Sequence, residues 1–298
     1  MYLPPASLVV RARPVPPPRL PLASMPTEGF PVADLLSLRP RARRAAVRSL
    51  LGEGISPAVG GGRRVMIGSL FGGTGVSTLT ALIERAWSAH RVPSVAMDAT
   101  GHWRPGLPER IAPSRMVASP RWVHVEDRSV AAEFEAVWAS SRGRSVLIGA
   151  GERCRHVDPE TVAAVAADVS ASWPLVVIDV GSGAERVREH LQAGAPGLLV
   201  LVCRSSAVEI RQSADFLRDA HRDGIVDGHQ AAVITTVGAP GRQSSDVSAA
   251  MAAVSDTAAG AVRLRMCRTL GRRETRVDDS CVDDAARLLA AAVAAAPG

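Results

Sequence analysis

Short continuous apolar runs alternate with stretches of helical periodicity from residue 63 onward. Runs of Val, Leu and Ile without polar alternation are typical of strands that are buried on both faces, and intervening helices cover those faces. The sequence therefore predicts an α/β fold: a doubly wound, mainly parallel sheet with helices on both faces. The predicted strands are Val65–Leu70, Ser94–Asp98, Ser145–Gly149, Leu175–Val180, Leu198–Val202 and Ala231–Thr235.

Four helices are predicted among and after these strands. Asp158 and Pro159 are typical of a helix start, as a capping side chain and a first-turn proline. Another helix is expected from about Ala207 to His221, and a last one over Asp283–Ala295, which is rich in Ala and indicates core packing. The first helix carries an apolar face made of Leu79, Leu82, Ile83 and Ala86.

Residues 1–62 differ in composition from the rest of the chain. Ten of the 21 prolines lie before residue 41, and Gly52–Gly62 is rich in glycine. Such a composition disfavours a packed core and favours a tail followed by a linker. The sequence therefore predicts two parts, a Pro/Arg-rich disordered tail and linker over 1–62 and an α/β domain over 63–298, with a short basic helix over 41–51.

The positive charge is concentrated in the same segment. All 35 basic residues are Arg, the net charge is +6, and residues 1–50 hold eight Arg against Glu28 and Asp34. This segment predicts an anionic partner, either DNA or an anionic membrane, and the alternative is a solubilising tail. A second cluster, Arg263–Arg276, could contact phosphates, although a solvated surface is the simpler interpretation. The residues expected to contact the anion are Arg41, Arg43, Arg44 and Arg48.

A glycine-rich turn connects the first predicted strand to the first predicted helix. Glycines allow backbone N–H groups to curve around an anion, and a helix N-terminus adds its dipole. A Ser or Thr at the helix start can bind Mg²⁺. The turn therefore predicts a phosphate site, and the alternative is a tight turn that binds nothing. The candidate cofactor-binding residues are Gly72, Gly73, Thr74, Gly75, Val76, Ser77, Thr78 and Asp179.

The turn, F-G-G-T-G-V-S-T, resembles the signature K-G-G-x-G-K-[ST]-T of the MinD/ParA family of P-loop ATPases. Four further segments resemble family landmarks in the family's order: Val95–Asp98, the Walker B-like Leu175–Gly181, Leu198–Arg211, and Ala231–Gly238. The resemblance implies ATP or ADP with Mg²⁺ as cofactor. It implies Ser77 and Asp179 as metal-binding residues, and Asp98 and Asp179 as candidate catalytic residues.

This sequence departs from the family pattern at both lysines, which are Phe71 and Val76 here. The second lysine reaches the β- and γ-phosphates in P-loop enzymes, so its loss predicts weak or absent hydrolysis. Whether nucleotide binds or the site holds none stays open on the residues alone. Arg63, Arg64 and Arg204 are the nearest candidates to replace the charge. Two further departures are Thr100 for a carboxylate and Thr235 for an adenine-contacting Asn.

The resemblance implies a cytoplasmic adaptor or regulator that positions a larger machine, with a protein partner, homodimerisation, and peripheral association with membrane or nucleoid as further options. Machines of this kind serve secretion, pilus assembly, conjugation, division or partition, and proline-rich segments precede MinD-like domains in actinobacterial secretion loci. One alternative is an active ATPase that dimerises on ATP and binds DNA or membrane. Another is a non-catalytic DNA-binding module. The four cysteines form no C-x-x-C pair, which indicates free thiols.

Overall fold

The computed structural model of the chain describes most of the α/β region and part of the N-terminal segment. Residues 1–31, the linker beyond Gly52 as far as residue 61, and the arginine cluster beyond Arg265 lie outside the described residues. The described residues are 32–52, 62–89, 94–100, 107, 110, 138–139, 145–149, 158–172, 175–194, 196–226, 232–238, 243–265 and 284–295.

Eight strands in the described ranges form one sheet. They are β1 Arg63–Ser69, β2 Ser94–Asp98, β3 Trp138–Ala139, β4 Ser145–Gly149, β5 Leu175–Ser182, β6 Leu198–Arg204, β7 Ala232–Gly238 and β8 Gly260–Arg265. Their order across the sheet is β3-β4-β2-β5-β1-β6-β7-β8. Only the short β3 runs antiparallel to its neighbour among these strands. The predicted α/β fold with a mainly parallel sheet is therefore confirmed.

The helices in the described ranges are α1 Val32–Ser37, α2 Pro40–Gly52, α3 Val76–Ala89, α4 Pro159–Ser172, α5 Ala184–Ala193, α6 Ala207–Arg222, α7 Ser245–Ala252 and α8 Asp284–Ala295. A 3₁₀ turn, Ala253–Asp256, follows α7. No helix in these ranges combines the length and the apolar character that a bilayer span requires.

Two apolar clusters cover the two faces of the sheet. Alternate residues of β1 point to opposite faces, so that Ile67 joins one cluster and Met66 the other. The first cluster contains α3 and α8, and the Trp87 indole N–H donates to the Ala290 carbonyl across these two helices at 2.9 Å. Leu289 and its neighbours on α8 are fully buried, so the predicted core role of the C-terminal helix is confirmed.

The N-terminal helices also belong to the first cluster. Leu35 of α1 and Leu51 of α2 are fully buried, and Leu36 packs over Gly260 at the start of β8. The expectation of an unpacked tail is therefore wrong for residues 32–52. The physical reason is that apolar residues three or four positions apart, such as Val47 and Leu51, make one apolar helix face, which the high arginine content of the segment conceals.

Candidate functional site

The glycine-rich turn lies at the carboxyl end of β1, where it leads into α3. Gly73 and Gly75 have φ values of 72° and 94°, which side chains with a Cβ disfavour. A Cβ added at Gly72 or Gly73 would meet no atom within 4 Å, so this part of the loop faces open space. The Ser69 hydroxyl accepts a hydrogen bond from the Phe71 N–H at 3.0 Å and fixes the start of the loop. The backbone is therefore shaped to receive an anion at the N-terminus of α3.

The side chains of the predicted loop residues are mostly turned inward. Thr74 is buried, and Val76 is only 6% exposed and belongs to the first apolar cluster. Phe71 is partly buried against the second cluster. Ser77 and Thr78 lie half-buried in the first turn of α3. Both lysine positions of the family signature thus carry apolar side chains packed on the protein, and the loop offers phosphates its backbone and hydroxyl groups.

Two buried carboxylates meet at the same edge of the sheet. Asp98 ends β2 and is the register partner of Asp179 on β5. Asp98 Oδ1 accepts hydrogen bonds from the backbone N–H of Thr100 at 3.0 Å and from its hydroxyl at 2.6 Å. Asp179 Oδ1 accepts from the Gly181 N–H at 2.9 Å, and the sheet register shifts at this point. Such irregularities commonly re-aim side chains beside functional sites.

The electrostatics of Asp179 depend on its neighbours. Burial, followed by the charge of Asp98, raises the pKa of Asp179 to about 7. Three neighbours act in the opposite direction and lower this pKa: the Ser77 hydroxyl, the Gly181 N–H and the charge of Arg186. The structure therefore brings Ser77 and Asp179 together, as the predicted metal site requires. Oxygen ligands of this kind suit Mg²⁺. The loop and this pair together fit a nucleotide with its metal.

Sequence reasoning missed Arg186, which lies in the first turn of α5. Its guanidinium donates to the Ala99 carbonyl at 2.7 Å, and burial lowers its pKa while the charges of Asp179 and Asp98 raise it. The sequence signal was available, because a helix that starts directly after the Walker B-like strand brings its first-turn side chains back over the end of that strand.

The structure corrects the expected replacements for the lost lysine. Arg63 and Arg64 begin β1, at the edge of the sheet opposite the loop, roughly 20 Å away for a strand of this length. Arg204 does lie at the correct edge, at the end of β6. Its side chain is largely exposed, and its Nε donates to Glu209 Oε1 at 2.6 Å.

The remaining predicted positions contribute less to the site. Thr235 is fully buried on β7, and its hydroxyl has no hydrogen-bond partner within the described part of the chain. Burial raises the pKa of the Cys203 thiol to about 12, so this free cysteine stays protonated and unreactive. Across the described ranges, no group of three or more His, Cys, Asp or Glu side chains is placed to hold a metal ion.

The fold has clear counterparts among solved structures. The Pyrococcus furiosus cell division ATPase MinD has 17% identity and a TM-score of 0.56, over 78% of this chain and 97% of that one. The Pyrococcus horikoshii septum site-determining protein MinD, complexed with Mg-ADP, has 15% identity and a TM-score of 0.56, over 78% of this chain and 94% of that one. Apo McdA from Cyanothece has 14% identity and a TM-score of 0.54, over 73% of this chain and 92% of that one.

These similarities, with the loop at the end of β1, define a P-loop protein of the MinD/ParA-like fold. No protein-family model matches the sequence, and no curated protein matches it. At 14–17% identity the likeness establishes the fold alone.

Proposed function

We propose that this chain is a MinD/ParA-like protein with a degenerate nucleotide site, which acts as an adaptor or regulator that positions a larger machine. The observation that carries the proposal is a phosphate loop that keeps its glycine geometry while Val76 and Phe71 pack against the protein. A loop of this shape can bind a nucleotide weakly through backbone N–H groups. It cannot place a mobile ammonium on the phosphates.

The residues that would hold a nucleotide are the backbone of Gly72–Gly75 and the hydroxyls of Ser77 and Thr78. Ser77 and Asp179 would hold Mg²⁺, which when bound neutralises phosphate charge. One neighbour in the same fold is complexed with Mg-ADP, which supports this assignment. Without the lysine, the loss of transition-state stabilisation is about 3 kcal/mol or more, so hydrolysis should be slower by roughly a hundredfold or beyond.

The test is a calorimetric titration of the full chain with ATP and ADP, with and without Mg²⁺, beside a turnover assay. We expect weak binding and little or no hydrolysis. Gly73→Val is the informative variant, because Val tolerates the φ of Gly73 poorly. This variant should lose binding, whereas substitution of the exposed Arg211 by Gln should not. Robust turnover that Asp179→Ala abolishes would overturn the proposal.

An exposed apolar side chain at the loop edge is a candidate contact for a protein partner or a second copy of the chain. Val208 in the first turn of α6 is 61% exposed, and it follows the exposed Arg204 at the end of β6. One neighbour is a complex of MinD with MinC, which gives a precedent for a protein partner on this fold. Light scattering compares the mass of Val208→Glu with that of the parent, and recovery of the partner is compared for the same two proteins. An unchanged mass together with unchanged recovery of the partner would count against this contact.

A second candidate function, binding to nucleic acid, is favoured by α2. Arg41, Arg44 and Arg48 are exposed and spaced three and four residues apart, so they form one stripe. Arg43, the fourth predicted contact, is partly buried and donates to the Leu36 carbonyl. Val47, on the same helix, is buried in the core.

The burial of the apolar side chains of α2 favours DNA over membrane as the partner. An interfacial helix must insert apolar side chains into the lipid, and those of α2 are engaged in the protein. Phosphate contacts by the three exposed arginines need no such insertion. We therefore expect the protein to bind duplex DNA at low salt. We expect vesicles that contain anionic lipid to retain no more of the protein than neutral vesicles do. The reverse result would favour the membrane.

A further inference from the structure

The Arg186 side chain reaches the residue that follows Asp98 at the end of β2. Its NH2 group donates to the Ala99 carbonyl at 2.7 Å, and the Ala99 N–H in turn donates to the Asp179 carbonyl at 2.8 Å. Ala99 directly follows Asp98. The guanidinium therefore fixes the backbone that joins the two carboxylates, and it connects the end of β2 to the start of α5.

Arg186 and Asp179 are shielded from water to different degrees. Arg186 is partly buried, and its Nε is buried and makes no hydrogen bond within the described residues. Asp179 is fully buried, and its Oδ2 likewise makes no direct hydrogen bond within the described residues. A buried carboxylate oxygen is costly unless a cation or a donor compensates it.

The charge of Arg186 contributes to that compensation, after the Ser77 hydroxyl and the Gly181 N–H. Of the described residues that shift the pKa of Asp179, Arg186 is the one that carries a positive charge, and its effect is to lower that pKa. Burial lowers the pKa of Arg186, and the charges of Asp179 and Asp98 oppose that effect. The usual second source of positive charge in such a loop is absent, because the chain has Val76 and Phe71 where the family signature has lysines.

We propose that Arg186 is the built-in counter-ion of the Asp98–Asp179 pair in the nucleotide-free protein, and that it competes with divalent cations for this pair. Arg186 is a positioning residue: it acts on a bound ligand through the two carboxylates. The inference rests on the metal-binding role proposed for Asp179, and it does not depend on nucleotide binding.

The test is a titration of the nucleotide-free full chain with Mn²⁺, in which electron paramagnetic resonance measures free Mn²⁺. Removal of the competing charge in Arg186→Gln should tighten Mn²⁺ binding by about tenfold or more, as expected for a unit charge that acts on the same carboxylates. Arg186→Lys, which keeps the charge, should bind Mn²⁺ nearly as weakly as the parent.

Two further variants make the comparison specific. Arg188→Gln lies two residues along the same helix and removes a charge that is paired with Asp223 at 2.9 Å, so its Mn²⁺ affinity should equal that of the parent. Arg186→Gln combined with Asp179→Asn should lose the gained affinity. Without metal, Arg186→Gln should melt at a lower temperature than Arg188→Gln, and Mn²⁺ should restore part of the difference.

Equal Mn²⁺ affinity in Arg186→Gln and the parent would overturn the proposal, including the case in which neither binds. If Arg186→Gln does not fold alone, the proposal requires that Mn²⁺ recovers its folded circular dichroism spectrum, and failure to do so would also overturn it. Nucleotide titrations on the parent are separate from these outcomes. If the parent binds no nucleotide while the Mn²⁺ effect is confirmed, the proposed function is contradicted and the role of Arg186 stands.

Discussion

Val76 shows how a single residue can separate the shape of a phosphate loop from its chemistry. Its side chain is 6% exposed within the first apolar cluster, while its backbone opens α3 at the end of the loop. A lysine there would have to extend past this apolar contact toward the phosphates. Lysine can do so, since its long aliphatic stem packs while its ammonium reaches polar surroundings.

We therefore expect Val76→Lys to increase nucleotide affinity by about tenfold, the equivalent of about 1.4 kcal/mol. Val76→Met adds similar length without charge and should leave the affinity near that of the parent. Calorimetric titration with ADP and Mg²⁺ measures both. An equal affinity of the two variants would show that the loop is not shaped for phosphates.

Asp179 gives the folded protein a pH dependence of known sign. Its pKa is raised to about 7 by burial and by Asp98, whereas the ordinary value is 3.8. Between these values the folded state binds a proton that the unfolded state has released. The stability that this group contributes is therefore complete below about pH 4 and is lost as the pH rises through 7.

Asp179→Asn removes this titration and keeps an oxygen for the Gly181 N–H. Relative to the parent, the free energy of unfolding of this variant should increase between pH 5 and pH 8, as measured by urea denaturation at both values. The exposed Asp256→Asn should follow the parent at both pH values. A constant difference between Asp179→Asn and the parent would contradict the assignment.

At the scale of elements, the N-terminal helices complete the helix layer on one face of the sheet. Leu51 is fully buried, and α2 lies against α8. Truncation of a buried Leu to Ala costs about 2–5 kcal/mol, because apolar contacts are lost and a cavity remains. Leu51→Ala should show a loss in this range in urea denaturation.

Arg48→Ala, at an exposed position three residues earlier on α2, should stay within about 0.5 kcal/mol of the parent. Equal stability of Leu51→Ala and Arg48→Ala would mean that α2 does not pack on the domain in solution.

These same elements show how far sequence reasoning reaches. Strand β5 and the loop after β1 follow from continuous apolar runs and glycine spacing, since both signals are local. Burial of α1 and α2 was not predictable from composition, because prolines and arginines dominate the segment while a few apolar side chains decide its packing. For Arg186, the order of strand and helix indicates that first-turn side chains of α5 lie over the end of β5, but the contact with Ala99 is a tertiary relation that this order alone does not give.

At the scale of the whole molecule, the excess positive charge lies apart from the acidic pair and the phosphate loop. The net charge of +6 resides in residues 1–50, and the remaining residues are balanced overall. The acidic pair and phosphate loop lie at the carboxyl edge of the sheet, whereas the exposed arginines lie on α2, which packs on α8 in the helix layer on one face. An anionic polymer on α2 can therefore bind without entering the loop, and nucleotide and DNA should not compete for one site.

The salt dependence of duplex DNA binding tests this separation quantitatively. Each phosphate contact contributes about 0.9 to the slope of log affinity against log salt, so loss of three contacts should reduce the slope by up to about 2.7. The variant replaces the exposed stripe of α2 with glutamine at Arg41, Arg44 and Arg48. The control removes the same charge from arginines that are paired with acids, Arg188, Arg218 and Arg222. Fluorescence anisotropy over a salt series should show the smaller slope for the stripe variant and the parental slope for the control. Identical slopes for the two variants would show that the stripe does not contact DNA and that binding follows net charge alone.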